Sequence, residues 1–147
     1  MKIFNRRARR DYYISETFEA GVVLSGNEAK SIQQGRGDLS GSFVRIKAGE
    51  AWLVGANIPQ YGYSTASGYD PLRTRKLLLH KREILSLYSK SQAQNLTFVP
   101  ISLYNKGRLV KVEVALARGK KQYEKREAKR RKDLDREAEQ AIRGDKR

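Results

Sequence analysis

The chain has 147 residues, of which 31 are Lys or Arg and 16 are Asp or Glu, giving a formal charge of +15 at neutral pH. It holds no cysteine and a single histidine, which argues against a disulfide framework, a thiolate metal centre, or the histidine clusters that bind zinc and share acid–base work. No run approaches the roughly 20 apolar residues of a membrane span, and Met1-Lys2-Ile3-Phe4-Asn5-Arg6-Arg7 lacks the apolar stretch of a secretory signal, so a cytoplasmic location without membrane attachment is expected. So cationic a chain is suited to a polyanion, and nucleic acid is the first partner to consider.

In chain order, a basic cluster (Lys2, Arg6, Arg7, Arg9, Arg10) precedes Tyr12 to Ile14, which could begin a strand. Phe18 to Leu24, rich in valine and aromatics, predicts a firmer second one. Gly26-Asn27 introduces a short helix over Glu28 to Gln34, stopped by Gly35-Arg36-Gly37. Phe43 to Lys47 and Ala51 to Ile58 alternate around Ala48-Gly49, the signature of a hairpin. Val44 and Ile46 would share one face, and Trp52, Val54, Ala56 and Ile58 another. From Pro59 to Tyr69 the composition is that of a loop carrying Tyr61, Tyr63 and Tyr69. A helix is predicted over Lys81 to Gln94, with Ile84, Leu85, Leu87 and Tyr88 as its apolar side. Leu96 to Tyr104 and Leu109 to Ala117 form the last hairpin, turned by Asn105-Lys106-Gly107, with Val110, Val112, Val114 and Leu116 on one face and Lys111 and Glu113 on the other.

About six antiparallel strands with short helices predict a mainly β domain over residues 1–117, a small closed or partly open barrel of the oligonucleotide-binding kind. Residues 118–147 form a basic tail with too few apolar side chains to offset its ordering entropy. Within it Leu134, Ala138, Ala141 and Ile142 make one thin helical stripe, which predicts disorder when free and a helix on binding.

Catalytic signals are poor. His80 stands alone, and Gly35-Arg36-Gly37-Asp38-Leu39-Ser40-Gly41 misses the dinucleotide-binding spacing. Glu28, Asp38 and Glu50 could hold Mg²⁺ only if the fold gathered them. No catalytic residue, metal or cofactor is expected. Nucleic-acid signals are better: two basic runs near opposite termini neutralise phosphates, while Asn5, Tyr12, Tyr13 and the loop tyrosines could meet unstacked bases, favouring RNA over DNA.

Several stretches together resemble the small protein B (SmpB) family, the SsrA-binding proteins that partner bacterial transfer-messenger RNA. They are Asn5-Arg6-Arg7-Ala8-Arg9-Arg10-Asp11-Tyr12, Phe18-Glu19-Ala20-Gly21, Gly26-Asn27-Glu28-Ala29-Lys30-Ser31-Ile32, Asp70-Pro71-Leu72-Arg73-Thr74-Arg75-Lys76-Leu77-Leu78-Leu79 and Ala117-Arg118-Gly119-Lys120-Lys121. They span nearly the whole chain in the family's order. The resemblance implies a six-stranded antiparallel barrel with flanking helices, and rescue of stalled ribosomes by trans-translation. Proteins like this bind the tRNA-like domain of transfer-messenger RNA and, with elongation factor Tu, deliver it to a ribosome whose message has run out. The tail is implied to enter the empty mRNA channel beside the decoding centre of the small subunit and to fold there as a helix.

Residue by residue, the resemblance places RNA contacts on Asn5, Tyr12, Glu19, Leu78 and Lys111, with the basic residues Arg6, Arg7, Lys30, Arg36, Arg75 and Lys76 completing the expected set. Gly119, Lys120, Lys121, Lys125 and Arg126 match the start of the ribosome-directed tail, which continues through Arg130, Lys132, Leu134 and Ile142. The chain departs from the family pattern at Gln33, commonly arginine, at Glu124, typically aspartate, and at Phe43, often tyrosine. Two other readings remain at this stage: a constitutive ribosomal or assembly protein with a basic extension, and a metal-dependent nuclease using Glu28 or Asp38.

Overall fold

A computed structural model describes residues 2–62, 67–120, 126, 129–134 and 136. Its elements run β1 (Lys2–Phe4), α1 (Ala8–Asp11), β2 (Tyr12–Val22), α2 (Gly26–Gln33), β3 (Phe43–Lys47), β4 (Glu50–Val54), β5 (Arg75–Leu78), α3 (Lys81–Gln94), β6 (Thr97–Lys106) and β7 (Leu109–Gly119). Every pairing between the strands is antiparallel. Neighbours follow the order β6-β3-β4-β5-β2-β7, and β7 returns to pair with β6, so six strands close on themselves while β1 joins the edge of β6 as a seventh. The expected six-stranded barrel is present.

The long β6–β7 hairpin supplies the wall. Val112, Val114 and Leu116 are fully buried and Val110 nearly so, alternating with the half-buried Lys111 and Glu113, while further along the strand Ala115 and Ala117 are buried on the other face as well. Inside, Val110, Val112, Val114 and Leu116 meet Val44, Leu53, Leu77, Phe98 and Leu103, and the rings of Phe18 and Phe98 pack edge to face at 6.2 Å. Helix α2 adds Ile32 to the same core and α3 adds Leu87.

Helix α2 begins where Ser25 Oγ accepts from the Glu28 amide at 3.2 Å and Glu28 Oε1 accepts from the Ser25 amide at 2.9 Å. This reciprocal cap was written in the sequence as Ser-x-x-Glu. Helix α3 occupies the expected span, with the His80 amide held by Glu83 Oε1 at 3.2 Å and Asn95 ending it in the left-handed conformation, φ 53°.

Several expectations change. Tyr12–Ile14 and Phe18–Leu24 are not separate strands. Tyr12–Ile14 and Phe18–Val22 belong to the single strand β2, which absorbs the polar Ser15 as a bulge while staying paired to β7, and Val23 and Leu24 lie beyond its end. Strand β4 stops at Val54 because Gly55 turns the chain at φ 81°, so Trp52 and Val54 share no face with the buried Ala56 and Ile58. The core face of β4 is Ala51 and Leu53. On α3, Ile84 and Leu87 are buried but Leu85 and Tyr88 are exposed. Strand β7 runs to Gly119, two residues beyond its expected end. Apart from these changes, the described tail residues Arg126, Lys129 to Leu134 and Arg136 are helical, and Leu134 is exposed. Tyr63, Lys121, Lys125, Ala138, Ala141 and Ile142 lie outside the described residues.

Candidate RNA interface

Three strands distant in sequence bring Glu19 (β2), Lys76 and Leu78 (β5) and Lys111 (β7) to one groove of about 510 Å³, beside His80 and Lys81 at the start of α3. Gly21 sits opposite both Leu78 and Lys111. Leu78 covers it, with side-chain carbons 3.4 Å from where a Cβ would stand. Supported on its inner side, Leu78 remains 58% exposed. That exposure separates an apolar platform from a core leucine, which would look the same in sequence.

Glu19 is held rather than loose. The Tyr104 hydroxyl donates a short hydrogen bond to Glu19 Oε2 and Lys106 Nζ lies 3.5 Å from Oε1. The Tyr104 bond, with help from the charges of Lys106 and Lys111 and against partial burial, keeps the Glu19 carboxyl below its ordinary pKa. Burial, then the bond to Glu19 and its charge, pushes the Tyr104 phenol up to about 12. Lys2 Nζ lies over the Tyr104 ring, 5.1 Å from its centre. An ionised carboxylate oriented this way is chemically able to accept N–H groups, and the cations around it are of the kind that suits phosphates.

A second groove, of about 740 Å³, is lined by Arg6, Arg7, Arg9, Arg10, Lys129 and Lys132 among other residues. Asn5 lies beneath it and is only 8% exposed. Its Nδ2 donates to the Pro100 carbonyl at 2.8 Å, and its Oδ1 accepts from the Arg7 amide at 3.3 Å. The amide expected to meet a base edge is thus engaged in fixing the turn that presents Arg6 and Arg7. Tyr12 is half-buried against Ala8, Val99 and Ala117. Lys120 ties the root of the tail to α1, its amide donating to the Asp11 carbonyl at 2.8 Å and its Nζ to the Arg9 carbonyl at 3.1 Å. Arg118 and Lys120 both flank the Tyr13 ring, at 4.7 and 4.8 Å.

Elsewhere the expected residues scatter. Lys30 is exposed on α2, over the ring of Tyr61 at 5.3 Å, and Arg36 is exposed after that helix. Tyr69 is occupied, its hydroxyl donating to the Ile58 carbonyl at 2.5 Å. Arg75 is a correction. It is fully buried, its Nε 2.7 Å from Glu28 Oε2, with further bonds to the carbonyls of Ala56 and Pro71. No RNA phosphate reaches that guanidinium. The same pairing removes Glu28 from any Mg²⁺ site, and among the described residues no group of three or more acidic or histidine side chains could hold a metal. None of their helices is long and apolar enough to cross a membrane.

The family model described as SmpB protein matches residues 2–144. The chain belongs to the SmpB family. The SsrA-binding protein of Shouchella clausii is 50% identical over 138 residues, covering 94% of this chain and 88% of its own. That of Streptomyces coelicolor is 51% identical over 138 residues, covering 94% and 87%. A solved chain described as "tmRNA-SmpB: a journey to the center of the bacterial ribosome" superposes with a TM-score of 0.71 at 44% identity, covering 88% of this SmpB-family chain and 95% of its own.

Sequence reasoning missed Tyr104 and Lys106. They stand on β6 opposite Lys111 and Leu109, because β6 runs on through Asn105 and Lys106, which were expected in the turn, and only the correct hairpin register would have found them.

Proposed function

We propose that this SmpB-family protein binds transfer-messenger RNA and carries it to stalled ribosomes for trans-translation, acting in the cytoplasm as a positioning factor that makes and breaks no bond. The relatives' description as SsrA-binding proteins and the tmRNA–SmpB likeness support the RNA and the ribosome as partners. The observation that carries the reading is the groove where Glu19, Leu78 and Lys111 converge. It offers an acceptor for base edges, an apolar platform for an unpaired base and a cation for phosphate, the set by which proteins recognise the unstacked parts of structured RNA. The tRNA-like domain is the ligand of this groove, delivered together with elongation factor Tu.

The tail has a separate task. Arg126, Arg130 and Lys132 lie along its described helical part, and such a basic, thinly apolar helix gains from a polyanionic channel what it lacks in water. It enters the empty mRNA channel near the decoding centre and completes its helix there. The test is truncation after Lys120, which keeps β7 and the bonds to α1 intact. The truncated protein should hold the tRNA-like domain with affinity unchanged within about twofold, yet support no peptide tagging on ribosomes stalled at the end of a message. Loss of RNA binding along with the tail would refute the division of labour.

A further inference from the structure

The only tryptophan of the chain is Trp52, and since its neighbours Ala51 and Leu53 on β4 point into the core, it lies on the outer face of the barrel. Strand register places Arg45 opposite it on β3 and Lys76 opposite it on β5, with Phe43 opposite Val54 and Lys47 opposite Glu50 beside them. Arg45, Lys47, Trp52, Val54 and Thr74 line a shallow groove of about 490 Å³. Trp52 is half-buried, while Phe43, Arg45 and Lys47 are exposed, and the Arg45 guanidinium covers the Phe43 ring at 5.5 Å. Among the described residues that line it, the one carboxylate, Glu50, is already bound to Lys76 Nζ at 3.2 Å.

A large aromatic surface set among cations, with its acid paired, complements a chain that is both aromatic and anionic. Glu50 also lines the groove that holds Leu78 and Lys111, and Lys76 belongs to that groove as well, so the two surfaces adjoin across β4 and β5. We propose that the outer face of β3, β4 and β5 is a second RNA site, taking a short unpaired stretch with a base stacked on Trp52 and the flanking phosphates on Arg45 and Lys47. Double-stranded RNA would meet the cations here but would offer no open base for the indole. The site does not depend on how the tRNA-like domain is held.

Because the chain has one tryptophan, its emission reports this face alone. The full chain is titrated with a short fluorescently labelled oligouridine, following Trp52 emission and oligonucleotide anisotropy together. Both signals should saturate in parallel. Arg45→Ala with Lys47→Ala should weaken the affinity by about tenfold and flatten its salt dependence by about 1.4 log units per log unit, two single-strand phosphates' worth. Trp52→Leu should cost about tenfold and Trp52→Phe much less, since stacking needs only an aromatic plane. Lys111→Ala should leave oligouridine binding unchanged while weakening the tRNA-like domain, which separates failure here from failure at the other groove. Melting curves confirm that the variants fold, as expected for side chains on the outer face. Oligouridine that fails to bind at low salt, or binds with no change in Trp52 emission, would overturn the proposal and leave the face to a protein partner. So would affinity indifferent to Arg45 and Lys47.

Discussion

Glu28 and Arg75, 47 residues apart in sequence, form an ion pair whose two side chains are sealed from solvent at 1% and 0% exposure, with nitrogen and oxygen 2.6 Å apart. Arg73 closes on the other carboxylate oxygen at 2.5 Å. The pair ties the start of α2 to β5, and so fixes the strand that carries Lys76 and Leu78 into the groove. A buried pair of this kind is weak evidence of net stabilisation, but removing one partner strands the other's charge.

Glu28→Gln should therefore cost about 3–5 kcal/mol, read as a lower urea midpoint with unchanged slope. A loss well under 1 kcal/mol would mean that Arg75 finds water or another acceptor. The same pair gives an acid limit. Burial alone would raise the Glu28 carboxyl, but hydrogen bonds from Arg73, Ser25 and Arg75 outweigh it and hold the pKa below its ordinary value. The pair's contribution is then complete above the ordinary carboxylate range and lost as the pH falls through the lower folded value. Wild-type stability should decline across that acid window, and the decline should be shallower in Glu28→Gln.

Tyr104 sets the alkaline counterpart. A phenol raised to about 12 adds stability that is whole below its unfolded pKa of about 10 and is lost as the pH rises through the folded value. Tyr104→Phe should abolish this alkaline component and let the Glu19 carboxyl pKa, read in the acid titration, rise toward its ordinary range. NMR titration of the Glu19 side chain would show it; an unmoved midpoint would assign the depression to Lys106 and Lys111 instead.

Asn5 distinguishes structure from recognition. Its amide is committed to Pro100 and Arg7, so Asn5→Ala leaves a buried carbonyl without its donor and should cost about 1–3 kcal/mol. RNA affinity, measured well below the melting temperature, should fall only slightly, through the loosened Arg6–Arg7 turn. A large affinity loss without destabilisation would give Asn5 a direct contact after all.

Lys111→Ala should weaken binding of the tRNA-like domain and flatten the salt dependence by roughly 0.7–0.9 log units, one phosphate's worth. An unchanged slope with unchanged affinity would remove Lys111 from the interface.

Long periodic elements were legible in the sequence. Helix α3 falls where its apolar spacing put it, and Val110, Val112, Val114 and Leu116 line the core as the alternation required. What was hidden was hidden for physical reasons. Strand β1 and helix α1, of three and four residues, are too short to show a period; they exist because β6 offers an edge and Asn5 a pin. The polar Ser15-Glu16-Thr17 looks like a break, yet pairing with β7 carries β2 through it. Arg75 shows the limit of reading charge. A basic residue in a basic chain looks like an RNA ligand until its acidic partner is brought to it by the fold. Leu85 and Tyr88 show the same limit for apolar residues, since helical spacing alone does not say which side of α3 meets the barrel. The convergence of Glu19, Leu78 and Lys111 needed three distant strands, and only the family resemblance named them beforehand.

The decisive measurement is a salt-titrated competition between the tRNA-like domain of transfer-messenger RNA, an ordinary tRNA and a DNA duplex of equal charge. If the barrel reads RNA shape, the tRNA-like domain wins by a wide margin at physiological salt and keeps that lead as the salt rises. Equal binding to all three, fading together with salt, would show a generic polycation and contradict the proposed function.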